Sequence, residues 1–351
     1  MTYGPGSPGT GGAWGAPPPP VPTPIGPGPT ATLNGTIQPP PPGWDPYGPP
    51  GRGTPSLLGQ DPYFGPGQFQ LSPMFTPVYG LYRLIQNVSL DYHWFSGHGS
   101  SGQELGINDI ELAASVNLPL PISPQAPLTV TPGFAVHYWD GPQSVPPVFA
   151  EMPAHTFDAF LDFAWNPHLT PVLGAELDVL VGVFSDFREL TGDSLRLKAK
   201  GLAVLSFSPS IQVKAGIWYL DRERVKLLPA GGIVWIPNPD IRFDILFPNP
   251  RFSQRLATSN NTDWWWYVAG DYGGGVWTFK RVQGPDAGNV DLVDYNDIRI
   301  SVGVEFKRLA SGLTGLFEVG GAFDRSLNYR SLEPASFYPP PAFFLRAGLM
   351  F

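Results

Sequence analysis

The chain has 351 residues and a formal net charge of -8, but only 14% of its residues are charged, against about 25% in an ordinary soluble domain. It has no cysteine, which excludes disulfide staples and thiolate metal sites. The acidic balance argues against nucleic acid as a partner, since phosphate binding needs a clustered positive surface. Nowhere does the sequence approach the roughly 18 consecutive apolar residues of a spanning helix, so its apolar content must lie in short pieces.

Residues 1–75 read as a disordered segment rich in Pro and Gly, with runs such as "APPPPVPTPIGPGPT" and "QPPPPGWDPYGPPGRG". Such a composition buries too little apolar surface to offset the entropy of ordering it. It favours extended polyproline stretches of about 3.1 Å per residue. The opening "MTYGPGSPGTGG" has neither the basic nor the apolar region of a signal peptide. Export therefore implies a leader upstream of this Met1, or one already removed.

Residues 76–351 change to period two. In "VSLDYHW", Val88, Leu90, Tyr92 and Trp94 fall on one side of a strand, and Ser89, Asp91 and His93 on the other. "IELAASVNL" repeats the pattern, and it returns in "LTVTPGFAVHY", "FDAFLDFAW", "LGAELDVLVGV", "LRLKAKGLAVLSF", "IQVKAGIWY", "IRFDILF", "IRISVGVEF" and "LFEVGGAF". Strands are expected at 83–95, 107–118, 127–139, 155–165, 172–184, 194–207, 210–220, 226–236, 240–247, 251–258, 263–272, 276–283, 295–307, 313–324 and 342–351. That odd count would leave the chain ends on opposite sides of an up-and-down barrel. Joining 263–283 into one strand kinked at "GGG" brings the count to fourteen, with twelve to sixteen as the range.

These segments are longer than the five or six residues of a typical globular strand, and their charges keep to the side opposite Leu, Val and Ile. Aromatic residues gather at strand ends, where Trp94, Trp139, Trp165, Trp218, Trp264 and Trp266 are expected to form the girdles of a membrane barrel. The fold class is thus all-β, an antiparallel up-and-down transmembrane β-barrel. A soluble secreted sandwich is the weaker alternative. Short turns such as "NPHLTP", "SPS" and "PNPD" fall at the end that carries the termini, and the long loops at the other.

Three stretches, "LLPAGGIVWIPNPDIRFDILFPNPRFSQRL" (227–256), "WWWYVAGDYGGGVWTFK" (264–280) and "GLFEVGGAFDRSLNYRS" (315–331), resemble an uncharacterised outer-membrane β-barrel family common in planctomycete bacteria. The likeness covers roughly residues 80–351. It implies a bacterial outer-membrane location, and no catalytic or ligand-binding residue can be carried over from it.

The inward side collects acids at Asp158, Asp162, Glu176 and Asp178, then bases at Arg196, Lys198, Lys200 and Lys214, with Arg242, Arg299 and Arg346 further round. An acidic wall facing a basic wall would set a transverse field across a water-filled pore. The other reading is a salt-bridged filling that closes the lumen, with Arg196 and Lys198 neutralising Glu176 and Asp178. Glu176 and Asp178 sit about 6.6 Å apart along one face, a spacing also found in two-carboxylate glycoside chemistry. No GxSxG elbow, HExxH or P-loop occurs, however, and the five His residues are scattered without ligand spacing. Calcium at Asp286, Asp291 and Asp294 lacks an EF-hand register.

The expectation is therefore a porin-like passive channel for small polar solutes, with no cofactor or metal. The alternative is a plugged barrel whose N-terminal arm tethers the membrane to the cell wall or a periplasmic partner. The chain stops on "FFLRAGLMF". Leu349 and Phe351 there resemble the terminal signal read by the barrel assembly machinery, though Arg346 stands where that signal has Gly. Lipid and that machinery are the expected partners.

Overall fold

The computed structural model describes residues 85–97, 104–121, 123–142, 150–308, 311–331 and 336–351. The segment 1–75 lies outside them. The strands in chain order are β1 (Ile85–Phe95), β2 (Gly106–Leu120), β3 (Ser123–Asp140), β4 (His155–Trp165), β5 (Leu173–Ser185), β6 (Leu195–Ser208), β7 (Ile211–Tyr219), β8 (Leu227–Asn238), β9 (Ile241–Phe247), β10 (Arg251–Ser259), β11 (Thr262–Lys280), β12 (Val290–Arg308), β13 (Thr314–Tyr329), β14 (Ser336–Phe337) and β15 (Ala342–Met350).

Each of β1 to β13 pairs antiparallel with the next, β13 pairs with β15, and β15 returns to β1. The result is a closed ring of fourteen strands, with the two-residue β14 a side pairing on β13. Closure gives each of the fourteen wall strands a neighbour on both sides, so the ring has no edge strand. Phe351 completes it: its N–H donates to the Val88 carbonyl and its carbonyl accepts from the Val88 N–H.

Alternation along the strands assigns the two faces. Leu90, Ile110, Leu112, Phe134, Leu161, Val179, Leu197, Ile233, Ile245, Val268, Ile300, Val302, Phe317 and Phe343 are all exposed on the outside. An outer surface made of large apolar residues is what a hydrocarbon solvent requires and what water penalises. Turns at the end carrying the termini are short: Pro209 and Ser210 join β6 to β7, and Asn260 and Asn261 join β10 to β11. Long connections, including 186–194, 281–289 and the β13–β15 link, lie at the far end.

The wall is uneven in height. β11 and β12 stay in unbroken register from Thr262–Arg308 to Lys280–Val290, whereas β9 has only seven residues. The expected segments 263–272 and 276–283 are joined in one strand, which ends at Lys280, and the expected kink at its glycines involves no register shift against β12. The bend is made by backbone conformation: Gly274 adopts φ +109, a value closed to other residues, and a Cβ there would overlap the Tyr295 carbonyl.

Candidate functional site

Every lumen charge read from the sequence points inward, and most are buried. Asp162 is 0% exposed and Asp158 and Asp178 are each 2% exposed, so the middle of the barrel is packed. Arg196, Lys198, Lys200 and Arg299 are buried as well. Lys214 donates to Glu176 at 2.6 Å, reaching across β6. Arg242 holds both Asp244 oxygens through Nε, at 2.9 and 2.8 Å. Arg346 donates to Asp91 on β1 at 3.2 Å.

The expectation that Arg196 and Lys198 neutralise Glu176 and Asp178 needs correction at Glu176, which takes Lys214. Arg196 faces Asp221 of the β7–β8 loop at 3.8 Å, and the Lys198 ammonium lies 4.3 Å from the Phe184 ring centroid. Asp178 is instead in register with Lys200 on β6. The cause is geometric, because strand register and not proximity in sequence chooses the cross-strand neighbour.

Large side chains fill the lumen where a facing glycine leaves room. Gly303 on β12 has no side chain under the Tyr267 ring, and a Cβ there would overlap it. Tyr267 therefore crosses β12 from β11 and donates to Glu318 on β13 at 2.7 Å. Arg251 on β10 lies over the same ring, 3.5 Å from its centroid, and donates to Glu305 on β12 at 2.8 Å. The Phe160 ring on β4 fills the space over Gly133 on β3 in the same way. A buried cation is tolerable only when paired, and here each has a carboxylate or an aromatic face.

The far mouth is covered by the outer half of the β11–β12 hairpin. Thr278 of β11 pairs with Ser185 at the end of β5, six strands away round the ring. The hairpin must therefore leave the wall at its glycines and cross the opening. Asp186 anchors it, its N–H donating to the Thr278 carbonyl and its carboxylate accepting from Lys280 N–H, both at 3.0 Å. The Glu151 carboxylate accepts from the N–H groups of Val282 and Gln283, and Glu151 is itself fixed by the Tyr329 hydroxyl. In the middle of the mouth, Trp277 donates from Nε1 to Asp158 of β4 at 2.6 Å. Its ring packs 5.1 Å from both His137 and Trp139. His137 lies between two carboxylates, with Nδ1 at 2.8 Å from Asp109 and Nε2 at 3.2 Å from Asp158.

The six girdle candidates divide. Trp94, Trp165, Trp264 and Trp266 lie on the outward face, where Trp94 meets Phe343 edge to face and Trp266 donates to Gln254. Trp139 and Trp218 do not belong there: they are 8% and 4% exposed and point inward into the aromatic core under the lid. Trp139 shares the face of Ala135 and His137 along β3, and its indole N–H finds Thr156. Leu349 and Phe351 are exposed on the outer face of the closing strand. Sequence reasoning missed His137, Arg251, Glu151 and Arg222. Of these, Arg251 and His137 carried a signal, as ionisable residues of inward parity near the end of a strand.

No family model matches the chain, and no curated protein does. Among solved structures it is similar to an outer membrane channel from Pseudomonas putida F1, at 12% identity over 79% of this chain and 98% of that one, with a TM-score of 0.36. It is also similar to a bacterial polysaccharide outer membrane secretin, at 11% identity over 78% and 99% with a TM-score of 0.34. A siderophore receptor from Pseudomonas aeruginosa matches at 11% identity over 76% of this chain and 63% of the receptor, with a TM-score of 0.26.

Proposed function

We propose that this chain is a bacterial outer-membrane β-barrel that passes small polar solutes only when its hairpin lid lifts. The porin-like channel expected from the sequence thus becomes a gated one. The observation that carries the reading is the bond from Trp277 to Asp158, which joins the lid on β11 to the opposite wall through the middle of the mouth. The long-loop end, with the lid, faces outward from the cell, and the short-turn end faces the periplasm, as in other barrels of this kind. The charges beneath the lid give a polar path once it opens, with the acids of β4 and β5 set beside the bases of β6 and β7. The resemblance to the planctomycete barrel family and the contact of Phe351 with the assembly machinery belong to the same proposal.

Planar-bilayer recording of the purified full chain tests it. Long closed intervals broken by brief openings support the lid reading. A steady large conductance from each inserted barrel would overturn it. A barrel that stays silent when the lid is unlatched would favour the plugged structural alternative.

A further inference from the structure

Beside the lid, two strands of the barrel wall stop short. β9 and β10 pair only from Asp244–Arg251 to Ile241–Gln254, and the chain then turns through Pro248, Asn249 and Pro250. Their outer neighbours keep going. β8 continues through residues 227–230 beyond its last partner on β9, paired there with β7. β11 continues from Gly270 to Lys280 beyond its last partner on β10, paired there with β12. At about 4.8 Å per strand spacing, the break between β8 and β11 is on the order of 14 Å from backbone to backbone before curvature.

This break lies within the apolar band. Ile217 and Leu227 on one side, Phe247 below, and Ile298 and Ile300 on the other side are all exposed on the outer surface. A strand edge at that depth would leave backbone groups without partners, which hydrocarbon does not tolerate. One side chain meets part of the need. Arg222, buried in the β7–β8 loop, donates to the Gly273 carbonyl at 2.8 Å and the Gly274 carbonyl at 2.9 Å. It also donates to Asn296 Oδ1 at 2.8 Å and stacks over the Tyr272 ring at 4.8 Å. The guanidinium takes the place of the missing strand, and unlike a strand it is held by a few bonds on a loop.

The surroundings of the break are amphiphilic. Leu228 and Tyr272 form half-buried apolar sides that run on into the core. The floor is Asn249, buried, with an Oδ1 that has no partner among the described residues. We propose that this break is a lateral gate closed by Arg222, through which an amphiphile moves between the lumen and the outer leaflet. Its head would carry an anionic acceptor for the guanidinium and a hydroxyl for Asn249, and its apolar chain would trail past Leu228 and Tyr272. The lid and the gate are two results of one bend: when β11 turns inward at its glycines to cover the mouth, it leaves the wall where β10 has already ended. The inference goes beyond solute passage and rests on the chain being a membrane barrel.

The test uses the full chain in phosphatidylcholine vesicles containing nitroxide-labelled stearic acid, read by quenching of a fluorophore on a single introduced cysteine. The native sequence has no cysteine, so each label is unique. Leu228→Cys reports on the lumen side of the break, Gln212→Cys on an inward site away from it, and Phe247→Cys on the lipid face. Replacing Arg222→Ala is expected to raise quenching at position 228 severalfold and leave position 212 unchanged. Arg222→Lys keeps the charge but reaches one carbonyl, and gives a smaller rise. Equal quenching at position 228 with and without Arg222, in barrels whose heat-modifiable migration shows them folded, overturns the gate. Should Arg222→Ala fail to fold, the lysine variant decides alone, and no rise with it overturns the proposal. Absence of quenching at position 247 would instead sink the membrane reading, and the gate with it.

Discussion

Replacing Trp277 by Ala should open the lid. Trp277 is fully buried, packs on His137 and Trp139, and donates the bond to Asp158 that crosses the mouth. Truncating a buried Trp costs about 3–5 kcal/mol, and Asp158 loses a buried donor, worth about 1–3 kcal/mol where nothing replaces it. His137 stays beside the Asp158 carboxylate, so the lower part of the combined range, about 4 kcal/mol, is the working value. At about 1.4 kcal/mol per factor of ten, the ratio of open to closed lid should rise by roughly a thousandfold. Trp277→Phe keeps most of the ring and loses only the N–H, so about 1–2 kcal/mol and a five- to thirtyfold rise are expected. Single-channel recording at fixed voltage measures both ratios. The reasoning fails if folded Trp277→Ala barrels show the open probability of the native chain, or if the Phe variant opens as often as the Ala variant.

Gly303→Leu places a side chain where the Tyr267 ring lies and should destabilise the barrel by at least the roughly 1–3 kcal/mol of overpacking, read as a lower midpoint for loss of heat-modifiable migration. Glu305→Gln leaves Arg251 buried beside a neutral partner. A loss of about 3–5 kcal/mol in the urea unfolding of the reconstituted barrel is expected, and the double variant Arg251→Met, Glu305→Met should recover most of it. Phe351→Ala keeps the backbone bonds to Val88 but removes an exposed terminal ring. The yield of inserted barrel in cells should fall severalfold while single-channel behaviour stays native; normal yield would contradict a role for Phe351 in assembly.

The period-two pattern carried the barrel because each strand here turns one face outward and the other into the lumen. β4 begins and ends at the expected residues, His155 and Trp165, and the fusion of 263–283 into one strand follows from the even count that closure demands. Faces were legible wherever parity was used, which is why the charges of β4 to β7 all point inward. Trp139 and Trp218 were misplaced because strand-end position was allowed to outrank parity. Lumen partners were less legible: the Tyr267 to Glu318 bond skips a strand, and no local pattern announces a contact between residues two strands apart. The lid was hidden for a related reason. Alternation says which side of a strand a residue takes and not where the strand goes, and only in the fold are Gly275 to Phe279 seen to be buried on both faces.

Strand number alone argues for an open pore, since about eight strands are already filled by side chains and fourteen should leave a channel. That inference assumes a wall of even height with side chains of average reach. Here glycines at 133 and 303 let the rings of Phe160 and Tyr267 lie across neighbouring strands, so aromatic bulk serves the interior where a porin would hold water. Above them the two longest strands, β11 and β12, with 19 residues each, supply more hairpin than the wall needs. The excess can only stand in water or fold across the mouth, and burying Trp277, Phe279 and Tyr295 together favours folding across. Lumen width is thus set by glycine placement and by inequality of strand length as much as by strand count. A fourteen-strand sequence with this much inward aromatic content opposite glycine should be read as closed until its longest hairpin is shown to stand upright.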